Sequence, residues 1–200
     1  MVAKHYDINQ DMRYLQLLAQ SFPTVAEAST EIINLQAILN LPKGTEHFLA
    51  DIHGEYEAFL HVLKNASGNI KRKVNELFGN TLREQDKREL CTLIYYPEQM
   101  LEQVKQREAD INDWYHITLH QLVAVCRDVS SKYTRSKVRK SLPCDFSYII
   151  QELLHEHTED HDKAAYVNVI VDTIISTGRA DDFIVAIANV IQRLAIDQLH

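Results

Sequence analysis

Apolar residues recur at helical spacing along almost the whole chain. Leu15, Leu17 and Leu18 lie in a first stretch, roughly Ile8 to Gln20, which Ser21-Phe22-Pro23 interrupts. Thr24-x-x-Glu27 then reads as a capping box, with Thr24 at the N-cap and Glu27 reaching back. Behind it Val25, Ala28, Ile32, Leu35 and Leu39 share one face of a helix that Leu41-Pro42-Lys43-Gly44 ends. Glu46 to Asp51 is different. Its short Phe48-Leu49-Ala50 run is apolar without alternation, which predicts a strand buried on both faces. A helix follows from Glu55 to Asn65, with Tyr56, Phe59, Leu60 and Leu63 inward, and Asn65-Ala66-Ser67-Gly68 stops it. Beyond Ile70 the pattern predicts helices only: Ile70 to Phe78, Glu84 to Tyr96, Pro97 to Arg107, Asp110 to Tyr133, Phe146 to His157, Asp162 to Ser176 and Asp181 to Leu199. Pro97 suits a first helical turn, while Leu142-Pro143 and Thr177-Gly178 are breaks.

The fold class is therefore mainly α, and the low counts of glycine (5) and proline (4) agree with long helices rather than hairpins. A lone strand is not a stable element. The segment at Phe48 needs partners, either strands hidden among the helices or strands on a longer polypeptide. The last helix, with Phe183, Ile187, Val190, Ile191 and Leu194 on one face, ends where a second strand could follow.

Hydrophobic residues make up 46% of the chain, enough for a real core. The net charge of -7 argues against a nucleic-acid partner held by phosphate attraction. The basic run Lys132, Arg135, Lys137, Arg139 and Lys140 reads as a solvated helix end. No apolar stretch reaches the ~18 residues of a membrane span, and the start of the chain lacks an apolar signal region. Cys91, Cys126 and Cys144 are far apart and form no CxxC pair. They predict free, packed thiols in a reduced cytoplasmic setting.

Candidate chemistry centres on Asp51-Ile52-His53-Gly54. A spacing of two at a strand's end sends both side chains to one face. A carboxylate oxygen beside an imidazole nitrogen suits Mn, Fe or Zn better than Mg or Ca. Gly54 lets the chain turn sharply under a metal or phosphate.

That tetrapeptide matches the first signature of the calcineurin-like metallophosphoesterases. The stretches Ser21 to Val25, Glu31 to Phe48 and Asp51 to Lys64 closely resemble class III fructose-1,6-bisphosphatase. Similar character continues through Ile70 to Lys73, Phe78 to Leu82, Leu142-Pro143 and Arg193 to Asp197. The resemblance implies a gluconeogenic hydrolase that removes the 1-phosphate of fructose 1,6-bisphosphate with a binuclear manganese site. Asp51 and His53 would be ligands of its first metal. It also implies the start of an α/β metallophosphoesterase sandwich carrying a large helical insertion. Residues 1–69 would hold the N-terminal helices, first strand and metal motif, residues 70–176 the insertion, and residues 177–200 a helix leading back to the phosphoesterase domain.

The later family motifs, Gly-Asp-x-x-Asp-Arg-Gly and Gly-Asn-His-Glu, do not occur in this chain. It reads as the N-terminal part of a longer enzyme, inactive alone. The rivals are a helical interaction module without chemistry of its own and a metallophosphoesterase with another substrate. A homo-oligomer is compatible with either.

Other clusters have ordinary readings beside chemical ones. His116 and His120, with Asp113 a turn earlier, share a helix face, but the zinc-protease spacing lacks its glutamate. His155, His157 and His161 lie in an acidic inter-helix loop. His47 reads as a core-edge residue and His61 as structural. Lys71, Arg72 and Lys73 read as a solvated helix start or a phosphate contact.

Overall fold

The computed structural model describes residues 8–42, 46–155, 161–196 and 198–199. The chain divides into two compact units, Met1–Pro42 and Lys43–His200. The first holds α1 (Ile8–Ser21) and α2 (Val25–Ile38). Thr24 is extended, and its hydroxyl oxygen accepts the Glu27 N–H at 3.2 Å. The Glu27 carboxylate accepts the Thr24 N–H at 3.0 Å, so the capping box forms as expected. The apolar face of α2 is uncovered: none of its residues is buried, and Val25 is 84% exposed.

In the second unit β1 (Glu46–His47) precedes α3 (Tyr56–Asn65), α4 (Asn69–Phe78), α5 (Glu84–Tyr95), α6 (Pro97–Arg107) and α7 (Ile111–Ser130). Then come α8 (Arg135–Ser141), a 3-10 turn (Cys144–Phe146), α9 (Ser147–His155), α10 (His161–Ser176), α11 (Ala180–Ala195) and β2 (Gln198–Leu199). The core lies between α7 and α11, where Leu119, Leu122, Val125 and Val129 meet Phe183, Ile187, Ile191 and Leu194, all buried. Side chains satisfy the helix-end carbonyls around this pair. Gln192 Nε2 donates to the Ile94 carbonyl at 2.6 Å, Tyr133 Oη to that of Leu194 at 2.9 Å and Asn69 Nδ2 to that of Ala195 at 3.0 Å.

Several expectations change. The strand covers Glu46–His47 rather than Glu46 to Asp51, and Phe48 is 74% exposed instead of buried on both faces. The reason is pairing. β2 lies parallel to β1 in the register Glu46↔Gln198 and His47↔Leu199, a ladder two residues long among the described residues. The last helix stops at Ala195, so Gln198–Leu199 is the strand partner, not helix. Tyr56 is exposed rather than inward. The predicted helix from Asp110 to Tyr133 ends at Ser130, because Thr134 caps a separate α8 through its hydroxyl, which accepts the Lys137 N–H at 3.2 Å.

The start of α7 depends on Asp110, whose carboxylate accepts the N–H groups of Asn112 at 3.0 Å and Asp113 at 3.1 Å. Asp110→Ala strands both donors at the head of the central helix. It is expected to cost about 1 kcal/mol, read as a lower urea midpoint at unchanged slope.

Candidate functional site

The chain leaves β1 at His47, which is buried and anchored by a 2.9 Å hydrogen bond between Nδ1 and the Ser67 hydroxyl. Burial, reinforced by Lys132, holds its pKa below the ordinary value and keeps the ring neutral. Residues 48–52 run on from the strand and turn at His53 and Gly54, both left-handed, at φ 53° and 75°. Glycine takes this conformation freely. A histidine pays for it, which marks the turn as a place where geometry is imposed.

The turn brings the two predicted ligands together. His53 Nε2 lies 3.8 Å from Asp51 Oδ2, and the side chains are 78% and 89% exposed. Their proximity comes from the left-handed turn rather than from strand alternation. Both face a shallow cleft of about 320 Å³ whose apolar wall includes Leu49, Phe59 and Val62. The Glu55 N–H closes the turn onto the Ile52 carbonyl at 3.0 Å, and Phe59 N bonds to the Glu55 carbonyl at 3.0 Å as α3 begins. Glu55 offers no side-chain cap, and the Tyr56 N–H at the head of α3 turns back onto the Gly54 carbonyl at 2.9 Å. Further along, His61 Nδ1 and Tyr96 Oη are 2.6 Å apart, and Lys64 lies 4.6 Å over the Tyr96 ring. These contacts dock α3 on the α5–α6 junction.

The other clusters separate. The rings of His116 and His120 lie 4.9 Å apart between centroids, tilted by 49°, and His116 Nε2 reaches Asp172 Oδ1 on α10 at 3.4 Å. Burial, then the neighbouring His116, lowers the pKa of His120. Asp172 escaped the sequence reading because it lies on another helix, and no local spacing announces such a contact. Among the described residues no group of three or more His, Cys, Asp or Glu side chains is placed to hold a metal ion. His155 bonds to its own helix through the Gln151 carbonyl at 2.7 Å, while His157 and the side chain of His161 lie outside the described residues. Lys73 pairs with Asp128 at 2.5 Å, Arg72 donates to Asn69 at 2.8 Å, and Lys71 faces a cleft with α5. Of the basic run at 132–140, the part from Arg135 on lies in α8, with Arg135, Lys137, Arg139 and Lys140 exposed.

Cys91 and Cys126 are buried as expected, but Cys144, in the 3-10 turn, is exposed. Burial pushes the Cys126 thiol up to about 12 and raises that of Cys91. With a thiol reagent at pH 8 the native protein is expected to titrate Cys144 promptly and the other two only after denaturant is added. Three fast thiols would contradict the packing.

No helix among the described residues is long and apolar enough to cross a membrane. A family model described as Firmicute fructose-1,6-bisphosphatase matches residues 13–200. A class 3 fructose-1,6-bisphosphatase of Phocaeicola vulgatus is 76% identical over 193 residues, which is 96% of this chain and 29% of that relative. The class 3 protein of Bacteroides thetaiotaomicron is 75% identical over 190 residues, 95% of this chain and 29% of its own length. A Clostridium beijerinckii relative of the same name is 65% identical over 190 residues, with the same shares. The chain thus spans 29% of the length of these relatives. No solved structure matches it. A match along nearly the whole chain, Asp51 to Gly54 included, places it in the Firmicute fructose-1,6-bisphosphatase family.

Proposed function

We propose that this chain is the N-terminal part of a fructose-1,6-bisphosphate 1-phosphatase, and that Asp51 and His53 are ligands of its metal centre. The observation that carries the reading is the 76% identity over 193 residues to a relative named class 3 fructose-1,6-bisphosphatase. The donor set fits. A carboxylate and an imidazole on one turn, 3.8 Å apart and open to a cleft, can take adjacent positions on one ion with a small closing motion. Manganese is the metal the reading takes. When bound, a divalent pair supplies polarisation of the phosphate and a hydroxide near neutral pH.

The chain's own residues do the rest. Gly54 and the left-handed His53 present both donors outward. The positive end of the α3 dipole lies beside them and favours an anion in the cleft. Buried His47, hydrogen bonded to Ser67, fixes where the turn starts. The parallel pair of β1 and β2 is read as the seed of the phosphoesterase sheet. Continuing its register would set the residues after β2 beside the run from Phe48 to Asp51. Further ligands would then come from outside these residues, and 70–176 would be a helical insertion between two strands. A cytoplasmic, gluconeogenic role belongs to the same proposal.

A second reading, a helical interaction module, is favoured by the uncovered apolar positions of α2, among them Val25, Ile32 and Ile33. Phosphate release by the protein at its relatives' full length, with and without manganese, decides between the two.

A further inference from the structure

We propose that the cleft between α4 and α5 binds a small phosphate ester at a site separate from Asp51 and His53. The cleft is about 300 Å³, with Lys71 and Asn75 on one side and Glu84, Lys87 and Arg88 on the other. Three cations thus surround one carboxylate in a chain whose net charge is -7. The hydrogen bond from Lys87, then its charge and those of Arg88 and Lys71, hold the Glu84 carboxyl below the ordinary carboxylate range.

Lys87 is the telling residue. It is only 6% exposed, and its ammonium donates to Glu84 at 2.6 Å. An ammonium carries three donors. Among the described residues Glu84 is the one acceptor that Lys87 meets, so a buried cation faces the cleft with donors unspent. Glu84 supplies one anion to that cation, and a phosphate in the cleft would take the donors it leaves. Lys71 and Arg88 form no ion pair among the described residues, which leaves both free to turn onto a phosphate. The Asn75 side chain adds an amide donor, and the space exceeds what a bare phosphate fills.

The far wall is apolar. Tyr95 lies there beside Cys91, with its hydroxyl held protonated chiefly by burial. The Tyr95 ring also meets His61 of α3 edge-on, at 6.0 Å between centroids. The cleft therefore shares one side chain with the helix that starts at the Asp51–Glu55 turn.

The test titrates the 200-residue chain with glycerol 3-phosphate and, separately, inorganic phosphate, both in EDTA so that metal plays no part. Calorimetry gives the affinities, and amide NMR shifts give the location. The expected result is saturable binding of glycerol 3-phosphate, tighter than inorganic phosphate, with shifts confined to α4 and α5. Lys71→Gln and Arg88→Gln, both at exposed positions, should each weaken it about tenfold. Lys87→Met should abolish it, with circular dichroism confirming the fold, and Asp51→Asn should leave it unchanged. Three results would overturn the proposal: no saturation at millimolar ligand, inorganic phosphate binding as tightly as the ester, or affinity surviving the Lys71→Gln/Arg88→Gln double variant.

Discussion

At the full length of its relatives, the protein is expected to release phosphate from fructose 1,6-bisphosphate when manganese is supplied. Asp51→Asn is expected to cut that turnover roughly a thousandfold, the rate equivalent of about 4 kcal/mol. The asparagine keeps the size and one oxygen of the aspartate but removes the charge that makes it a strong ligand. His53→Ala removes the nitrogen donor and should fall comparably. Both side chains are largely exposed and neither supports the core, so stability should stay within about 0.5 kcal/mol of the parent, apart from the backbone cost of alanine at the left-handed position. Large loss of rate with little loss of stability distinguishes a metal ligand from a structural turn residue. The 200 residues alone should show no turnover above background, since Asp51 and His53 are a pair and the described residues hold no larger metal-ligating group. Turnover that survives both substitutions would remove the metal role from this turn. A full-length protein that binds partners but hydrolyses nothing would favour the interaction module.

How much of this was readable in advance depended on whether the cause was local. The box at Thr24 and Glu27 lies within one turn of chain, and it formed as read. Pro97 began its helix for a similarly local reason, a fixed φ and a missing N–H at a position that needs no donor. The short α8 was hidden by its composition, since Arg135 to Ser141 holds a single buried apolar residue, Val138, and so shows almost no period. The strand was misjudged because its length is set by a neighbour 152 positions away, at Gln198 against Glu46, and a two-residue pairing supports only a two-residue strand. The apolar Phe48-Leu49-Ala50 run was read as buried on both faces, and Phe48 is instead 74% exposed. At the site, the Asp-x-His spacing identified the pair and misjudged the cause of its proximity. The His61–Tyr96 and His116–Asp172 contacts had no sequence signal, because each joins side chains brought together only by helix packing.

Phe183→Ala is expected to cost about 3–5 kcal/mol, the largest loss of stability among single truncations of this core. Phe183 is fully buried on α11, the helix that packs against α7 and also touches α3, α4, α5, α6, α8 and α10. Its ring meets Phe146 edge-on at 5.2 Å and 79°, and the guanidinium of Arg179 covers the Phe146 ring at 4.9 Å. Removing the ring therefore opens a void between α11 and the 3-10 turn. For a unit of this size each kcal/mol moves Tm by about 2–4 °C, so a drop of about 10 °C is the expected reading. A cycle with Phe146→Ala should recover a coupling of about 0.5–1.5 kcal/mol from the ring pair, whereas Tyr148→Ala, at an exposed position, should change stability by less than about 0.5 kcal/mol. The consequence reaches the candidate site through the end of the same helix. The Ala195 carbonyl is tied to Asn69 and that of Leu194 to Tyr133, and three positions after Ala195 the chain enters β2, the strand that holds β1 in register. Loosening α11 thus loosens the platform from which the Asp51–Gly54 turn projects. In the full-length protein Phe183→Ala should then lower activity in proportion to the folded fraction and recover it on cooling. Asp51→Asn should remain impaired at every temperature, which separates the residue that holds the platform from the proposed metal ligand.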